Sequence, residues 1–249
     1  MDQVRKAGIV LVFVMVLVVG LVSVAPAAIE VEGDTYVGVF DKYLWRGFDL
    51  SGSQPVAQGG VDLSAGGFTL SYWSNLQMFN DAGDGYSAGE MNETDLIIDY
   101  SFDVNEQVSL SIGNAFYAVE GIDDTNEAYL TVALNTFLSP SLTAYWDWDK
   151  AKQSGLFYIL SIGHDIELSK QLTLSLSASC GYNQESDFLI GDYNNWHNAE
   201  FGVGIDYALT DQLTLSPSFL YSTPISDDAE NIAGIDDEMT AGLNITFSF

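Results

Sequence analysis

The segment EMTAGLNITFSF (238–249) restricts the possible folds more than any other part of the chain. Its odd positions are apolar from Met239 to Phe249, and its even positions are small or polar from Thr240 to Ser248. A period of two over a dozen residues is that of a β-strand with one apolar and one polar face. The segment therefore predicts a strand that lies between an apolar medium and a polar one.

The same alternation occurs in eleven further segments, which makes twelve predicted strands. Short polar turns and longer connections alternate between them along the chain. An even number of antiparallel strands, with short periplasmic turns and longer extracellular loops, is the pattern of a bacterial transmembrane β-barrel. A soluble β-sandwich is the alternative. The other predicted strands are 35–48, 55–65, 67–79, 94–104, 108–119, 127–138, 141–149, 156–168, 172–181, 200–209 and 213–222.

The composition agrees with contact to lipid. Hydrophobic residues make up 47% of the chain, whereas charged residues make up 17%, below the roughly 25% of ordinary soluble domains. The 249 residues include 35 acidic and 7 basic side chains, so there is no basic patch and nucleic-acid binding is disfavoured. The lone cysteine, Cys180, excludes an intrachain disulfide and a multi-cysteine metal site.

The first 28 residues have the pattern of a secretory signal peptide. Arg5 and Lys6 precede the apolar run 8–24, which is followed by small residues suited to cleavage near Ala27 or Ala28. A transmembrane anchor is the alternative, because the run is nearly long enough to span a bilayer. We expect a cleaved signal peptide at 1–28 and an outer-membrane β-barrel domain at 29–249 of a Gram-negative bacterial protein.

Alternation also assigns side chains to the two faces of the predicted barrel. Carboxylates from several strands fall on the inward face and give the lumen a negative potential that favours cations. Twelve strands lie between small filled barrels and wide porins, so the lumen is expected to be narrow or filled. Taken singly, each acid can simply hydrate the interior. The inward acids are Asp62, Asp95, Asp99, Asp147 and Asp206.

Two of the few basic residues, Lys42 and Arg46, lie within the predicted strand 35–48. A cation that faces lipid at mid-bilayer costs about 2–4 kcal/mol, so both are expected to point into the lumen. There they would either stabilise the barrel or form a constriction, with Asp62 on the adjacent strand as a candidate partner. Asp41 then faces lipid, which this assignment leaves unexplained.

The run YLWRGFDLSGSQPVAQGGVDLSAGGFTLSYWSN (43–75) resembles the N-terminal signature of the TorF family, proteobacterial outer-membrane β-barrel proteins grouped with the porins. The similarity is carried by an aromatic-x-x-R-G turn, the motif Q-P-x-x-Q-G-G, Asp62 and a segment ending W-x-S-N. The resemblance implies an outer-membrane barrel of loosely assigned transport function, without catalytic residues. Phe249 likewise resembles the last residue of closing strands that the barrel-assembly machinery recognises.

These observations together predict a narrow, acidic, porin-like channel that is not an enzyme and uses no cofactor or metal. Its expected partners are outer-membrane lipid, lipopolysaccharide, the assembly machinery, and small solutes or cations. A structural or adhesive barrel without a pore is one alternative. A barrel hydrolase is another alternative. It would need a histidine beside a nucleophile or an activated water, and the chain has only His164 and His197. The acidic loops 80–93 and 120–126 lack the spacing of an EF-hand calcium site.

Overall fold

The computed structural model describes residues 30–80 and 87–249. Within them, twelve strands form a closed antiparallel β-barrel, so the predicted fold class is confirmed. The predicted signal peptide, and residues 81–86 of one acidic loop, lie outside the described residues. The barrel strands are β1 (Glu32–Phe40), β4 (Val56–Ala65), β5 (Phe68–Gln77), β6 (Met91–Asn105), β7 (Val108–Val119), β8 (Thr125–Leu134), β9 (Ser141–Asp147), β10 (Leu156–Ser169), β11 (Leu172–Gln184), β12 (Asn194–Ala208), β13 (Leu213–Pro224) and β14 (Glu238–Ser248).

The barrel closes where the first strand meets the last. β1 pairs with β4 on one side and with β14 on the other, so that Tyr36 lies opposite both Gly60 and Thr246. Below this ladder, the backbone N–H groups of Gly33 and Phe249 donate to each other's carbonyl oxygens at 2.9 and 2.8 Å. Closure removes the unpaired strand edges that an open sheet would expose.

The two ends of the barrel differ. The turn end carries the short connections, such as Gly66–Gly67 between β4 and β5. The loop end carries the longer connections, including 185–193 between β11 and β12 and 225–237 between β13 and β14. The latter contains one π-helical turn, Ala229–Ala233. In the part of the chain that the structure describes, no helix has the length and hydropathy needed to cross a membrane.

The outer surface of the barrel is apolar, as the alternation predicts. On β6, Leu96 and Ile98 are 47% and 46% exposed, whereas the intervening Asp95 is 7% exposed and points inward. Large apolar side chains are exposed in the same way on the other barrel strands, for example Val37, Leu130, Leu160 and Phe201. The barrel thus has the lipid-facing surface of a transmembrane protein.

The predicted strand that differs most in extent from the structure is the first one. The segment 35–48 was expected to be continuous, but β1 ends at Phe40. Residues 44–49 instead form a separate two-stranded sheet, β2 (Leu44–Trp45) and β3 (Phe48–Asp49), which pairs only with itself among the described strands. This sheet lies inside the barrel, within a stretch that we call the inward segment (residues 41–55).

Candidate functional site

The inward segment leaves the wall at Asp41. The Asp41 carboxylate accepts hydrogen bonds from the Thr240 hydroxyl at 2.8 Å and from the Ala241 backbone N–H at 2.9 Å, both on β14. The Asp41 N–H donates to the Ala241 carbonyl at 3.0 Å. In a continuous strand the Asp41 carboxylate would face lipid. Here the chain turns into the lumen at Asp41, and hydrogen bonds from the neighbouring strand β14 satisfy the carboxylate.

A tight turn at Arg46 and Gly47 joins β2 to β3. Both residues have positive φ, 47° and 85°, as a two-residue type I′ hairpin turn requires. Asp49 then organises the chain that follows, because its carboxylate accepts hydrogen bonds from the backbone N–H groups of Ser51 (3.0 Å) and Ser53 (2.6 Å). Short local contacts thus fold the inward segment into a defined hairpin.

Arg46, at the tip of this hairpin, binds Glu127 on β8. Nη1 and Nη2 donate to the two carboxylate oxygens of Glu127 at 3.0 and 2.8 Å, and the Tyr117 hydroxyl donates to the same carboxylate at 2.9 Å. The side chains of Arg46 and Glu127 are 6% and 0% exposed. This is a buried, bidentate ion pair, the geometry in which a guanidinium binds a carboxylate most specifically.

Aromatic rings surround the Arg46 guanidinium. Its central carbon lies 4.4 Å from the centroid of Trp45, 4.5 Å from that of Tyr145 on β9 and 4.6 Å from that of Phe157 on β10. A cation within about 6 Å of an aromatic face is attracted by the electrons of the ring. Since β8, β9 and β10 lie across the barrel from β1, the hairpin spans the lumen and is bound to the opposite wall.

His197 on β12 binds the backbone of the same turn. Its Nε2–H donates to the Arg46 carbonyl at 2.8 Å, and its Nδ1 accepts a hydrogen bond from the Tyr193 hydroxyl. A bulge opposite Gly181 places both His197 and Asn198 on the inward side, while the neighbouring Trp196 is exposed. Both ring nitrogens of His197 are therefore occupied in fixing the hairpin.

Lys42 binds a different part of the wall. Its Nζ lies 2.5 Å from a carboxylate oxygen of Glu238 at the start of β14 and 3.8 Å from one of Asp49. Burial on its own lowers the pKa of Lys42, but the hydrogen bond that Lys42 donates to Glu238 and the charges of Glu238, Asp49 and Asp41 outweigh it and raise the pKa. Lys42 thus binds the first residues of the inward segment to β14.

Two loops cover the hairpin at the loop end. Ile190 and Tyr193 from 185–193, together with Ala229 and Ile235 from 225–237, form a buried apolar cluster with Phe157. Trp45 and Phe48 of the hairpin pack against this cluster. The hairpin is therefore enclosed between the barrel wall and these two loops.

The predicted basic pair is accordingly placed differently from the expectation. Lys42 and Arg46 do not lie on a wall strand, and Arg46 binds Glu127 rather than Asp62. The reason is that β1 ends at Phe40, so the hairpin carries Arg46 across the lumen and away from the adjacent β4. Sequence reasoning missed Glu127 altogether, because it lies 81 residues from Arg46 in the chain.

The predicted lumen acids occupy the inward faces of their strands. Asp99 accepts hydrogen bonds from the hydroxyls of Tyr129 (2.8 Å) and Ser111, and Asp147 accepts one from Thr125 at 2.8 Å. The Oδ1 atom of Asp95 is buried without a hydrogen-bond partner among the described residues.

The two remaining predicted acids lie nearer the turn end. Asp62 lies opposite Asp34 of β1, and Asp206 accepts a hydrogen bond from Ser216 at 2.6 Å. The role of all five acids in ion selectivity stays a prediction.

Neither histidine belongs to an arrangement suited to hydrolysis. His164 packs against Phe137 with ring centroids 4.3 Å apart, and His197 is engaged by Arg46 and Tyr193 as described. Within residues 30–80 and 87–249, no three His, Cys, Asp or Glu side chains are grouped so as to hold a metal ion.

A water-accessible cavity of about 320 Å³ remains on the side of the hairpin that faces the middle of the barrel. Lys42 and Leu44 of the inward segment border it, together with Phe40. The wall contributes Gln58, Ser175, Ser177, Gly202, Gly204, Ser218, Leu220 and Thr240, among others. The lumen is thus filled where the hairpin lies and open where the cavity lies.

Comparison with solved structures shows the same architecture. The barrel is similar to the porin NanC (TM-score 0.55, 13% identity, 87% of this chain and 100% of that one) and to the porin KdgM (TM-score 0.52, 13% identity, 88% and 99%). It is also similar to an outer-membrane channel from Pseudomonas putida F1 (TM-score 0.51, 14% identity, 91% and 100%). At these identities the likeness concerns the fold alone.

Sequence comparison gives a family without an assigned activity. No curated protein matches the chain. A family model described as a bacterial protein of unknown function, Gcw_chp, matches residues 25–231. The narrower resemblance to the TorF family stays a prediction. The chain belongs to the Gcw_chp family of bacterial proteins.

Proposed function

We propose that the protein is a narrow, cation-preferring channel of the bacterial outer membrane, and that the inward segment is its constriction. The observation that carries this proposal is that the hairpin spans the lumen without taking part in the strand pairing of the wall. β2 and β3 pair with each other and with no barrel strand among the described residues, whereas all twelve barrel strands pair around the closed wall. The hairpin is thus able to move without breaking the ladder.

The similarity of the fold to NanC, KdgM and the Pseudomonas putida channel supports a role in permeation. In our proposal the loop end faces the outside of the cell and the apolar surface contacts lipid and lipopolysaccharide. Phe249, which is 53% exposed at the end of β14, then serves as the signal for the barrel-assembly machinery.

The preference for cations follows from the charges on the inner wall. Asp62, Asp95, Asp99, Asp147 and Asp206 lie on inward faces, whereas the two cations of the inward segment are paired with carboxylates. An unbalanced set of carboxylates in a confined lumen raises the local concentration of cations.

A barrel with a structural or adhesive role and no pore is the second candidate. The apolar cluster that covers the hairpin at the loop end favours it. Single-channel recording of the purified protein in planar lipid bilayers separates the two candidates. Discrete conductance steps support the channel. If neither the wild-type protein nor a variant with a released hairpin conducts, the pore-less barrel is the better account.

A further inference from the structure

The cavity beside the hairpin has a wall built from hydroxyls and glycines. Across three adjacent strands, Ser175 on β11 lies opposite Gly204 on β12, which lies opposite Ser218 on β13. In the next row, Ser177 lies opposite Gly202. The two glycines leave a shallow shelf with a hydroxyl group at each edge.

The hydroxyls of this shelf have no partners of their own. None of Ser175, Ser177 and Ser218 makes a side-chain hydrogen bond to another residue in the described ranges. Elsewhere on the inner wall, many hydroxyls are engaged, as Ser111 and Tyr129 are with Asp99. The shelf therefore presents free donors and acceptors to whatever occupies the cavity.

An aromatic ring borders the same cavity. Phe40 lies across Gly38 and Gly242, where an added Cβ would come within 2.8 and 2.0 Å of ring carbons. Because no side chain separates the ring from the wall, one face rests on the two glycines and the ring also lines the cavity. Such a face packs well against the C–H groups of a small ring-shaped solute.

The lining carries little free charge. No carboxylate lines the cavity, and its single cation, Lys42, is paired with Glu238 and Asp49. The volume of about 320 Å³ lies at the lower end of the range for ligand pockets, which starts near 300 Å³. A fitting ligand is therefore small, uncharged and rich in hydroxyl groups.

We propose that this cavity binds a neutral, polyhydroxylated solute of about one sugar ring, through the hydroxyls of Ser175, Ser177 and Ser218 and the ring of Phe40. The proposal deepens the channel function, on which it rests, by naming the class of solute that is bound on its way through the lumen.

Binding is tested by saturation-transfer NMR on the detergent-solubilised barrel, which does not require conduction. The probe is D-glucose, with D-glucuronate as its acidic counterpart. We expect binding of glucose and weaker binding of glucuronate, because the surrounding wall is acidic. Equal or tighter binding of glucuronate would overturn the proposal, as would the absence of a glucose signal.

Variants locate the site. Each neutral hydrogen bond that is lost should weaken binding roughly two- to tenfold, so Ser175→Ala/Ser218→Ala should lose about 4- to 100-fold. Ser109→Ala is the matched control, since Ser109 is an inward serine on β7 that does not line the cavity. Equal binding by the double variant and this control would refute the site.

A second variant fills the shelf. A Cβ on Gly204 would meet nothing closer than 3.9 Å, so the wall accommodates the start of a side chain there, and Gly204→Leu is chosen to extend into the cavity. It should abolish glucose binding, and Gly204→Ala should weaken it. Heat-modifiable migration on SDS gels verifies that each variant is folded. Unchanged binding in folded Gly204→Leu would exclude the cavity.

Bilayer recording separates this proposal from the channel itself. If the protein conducts but does not bind glucose, the channel proposal stands and the solute site is refuted. If the protein binds glucose, with the expected loss in the variants, but never conducts, the solute site stands and the channel proposal is refuted.

Discussion

Arg46 and Glu127 lie 81 residues apart in the chain, and their side chains form two parallel hydrogen bonds of 3.0 and 2.8 Å inside the barrel. Arg46 belongs to the hairpin that follows β1, whereas Glu127 belongs to β8 on the opposite side of the barrel. This ion pair therefore joins the hairpin inside the lumen to the barrel wall, and its removal should affect the lumen more than the wall.

We expect Arg46→Ala to leave the barrel closed and to release the hairpin. The substitution leaves Glu127 buried and uncompensated, which costs about 3–5 kcal/mol in a dry site. Because the wall ladder does not depend on Arg46, this cost falls on the attachment of the hairpin. Single-channel recording should show larger or more frequent openings than in the wild-type protein.

Lys152→Ala is the control for this experiment, because Lys152 lies in an outer loop and only its backbone N–H contacts Asp187. Heat-modifiable migration on SDS gels verifies the fold of both variants. If Arg46→Ala matches Lys152→Ala in conductance and selectivity, the hairpin is not a constriction.

Gly47→Ala should loosen the same hairpin without removing a charge. Gly47 has φ 85°, which costs a residue with a side chain about 1–2 kcal/mol, and an added Cβ would lie 3.0 Å from Ile235. Gly66→Ala is matched, since Gly66 also has positive φ but has nothing within 4 Å. We expect increased conductance for Gly47→Ala alone. A similar increase in Gly66→Ala would show a general effect of barrel stability.

The reversal potential in a KCl gradient should favour K⁺ at neutral pH. Asp99→Asn/Asp147→Asn should reduce this preference, because two inward charges are removed. Anion selectivity of the wild-type protein at neutral pH would contradict the proposed role of the inner carboxylates.

The contact between Lys42 and Glu238 should respond to alkaline pH. Since the pKa of Lys42 is raised in the folded protein, its contribution is complete below the ordinary lysine value of about 10.4 and is lost as pH rises through the raised value. Conductance should therefore increase above about pH 10.5 in the wild-type protein. Lys42→Met lacks the charge at all pH values and should not show this increase in conductance. An increase of equal size in Lys42→Met would mean that another group titrates.

The mature chain should fractionate with the outer membrane and begin near Ala28 or Ile29. It should also migrate differently on SDS gels before and after boiling, as closed barrels do. Amino-terminal sequencing of the membrane fraction checks the first expectation. A soluble periplasmic protein without heat-modifiable migration would contradict the membrane location.

The wall could be predicted from sequence because lipid imposes a strict pattern. Every barrel strand must place apolar side chains on one face, as Leu96 and Ile98 do on β6, so alternation identified all twelve strands. The end of β1 was missed because Tyr43 and Trp45 continue the alternation of Val37 and Val39. The acid at position 41 and the Arg-Gly pair were the local signals of a turn.

The interior could not be predicted in the same way. Inside the barrel, the position of a side chain depends on partners that are distant in the chain, as that of Arg46 depends on Glu127. Such pairs leave no periodic pattern in the sequence. The inward position of His197 depends on a bulge opposite Gly181, which shifts alternation by one residue. Parity arguments fail at such points.

The pairing of β1 with β14 has a consequence for the order of folding. Gly38 and Asn244 are partners across this seam although more than 200 residues separate them, so the wall is completed by its most distant contact. The hairpin is joined directly to β1 and is enclosed by strands β8–β12 and two loops. The Arg46–Glu127 ion pair is a second contact between distant parts of the chain, beside the seam. Contacts of this kind are slow to form, so the strand pairing that closes the wall and the docking of the hairpin on β8 both depend on late, long-range steps of folding.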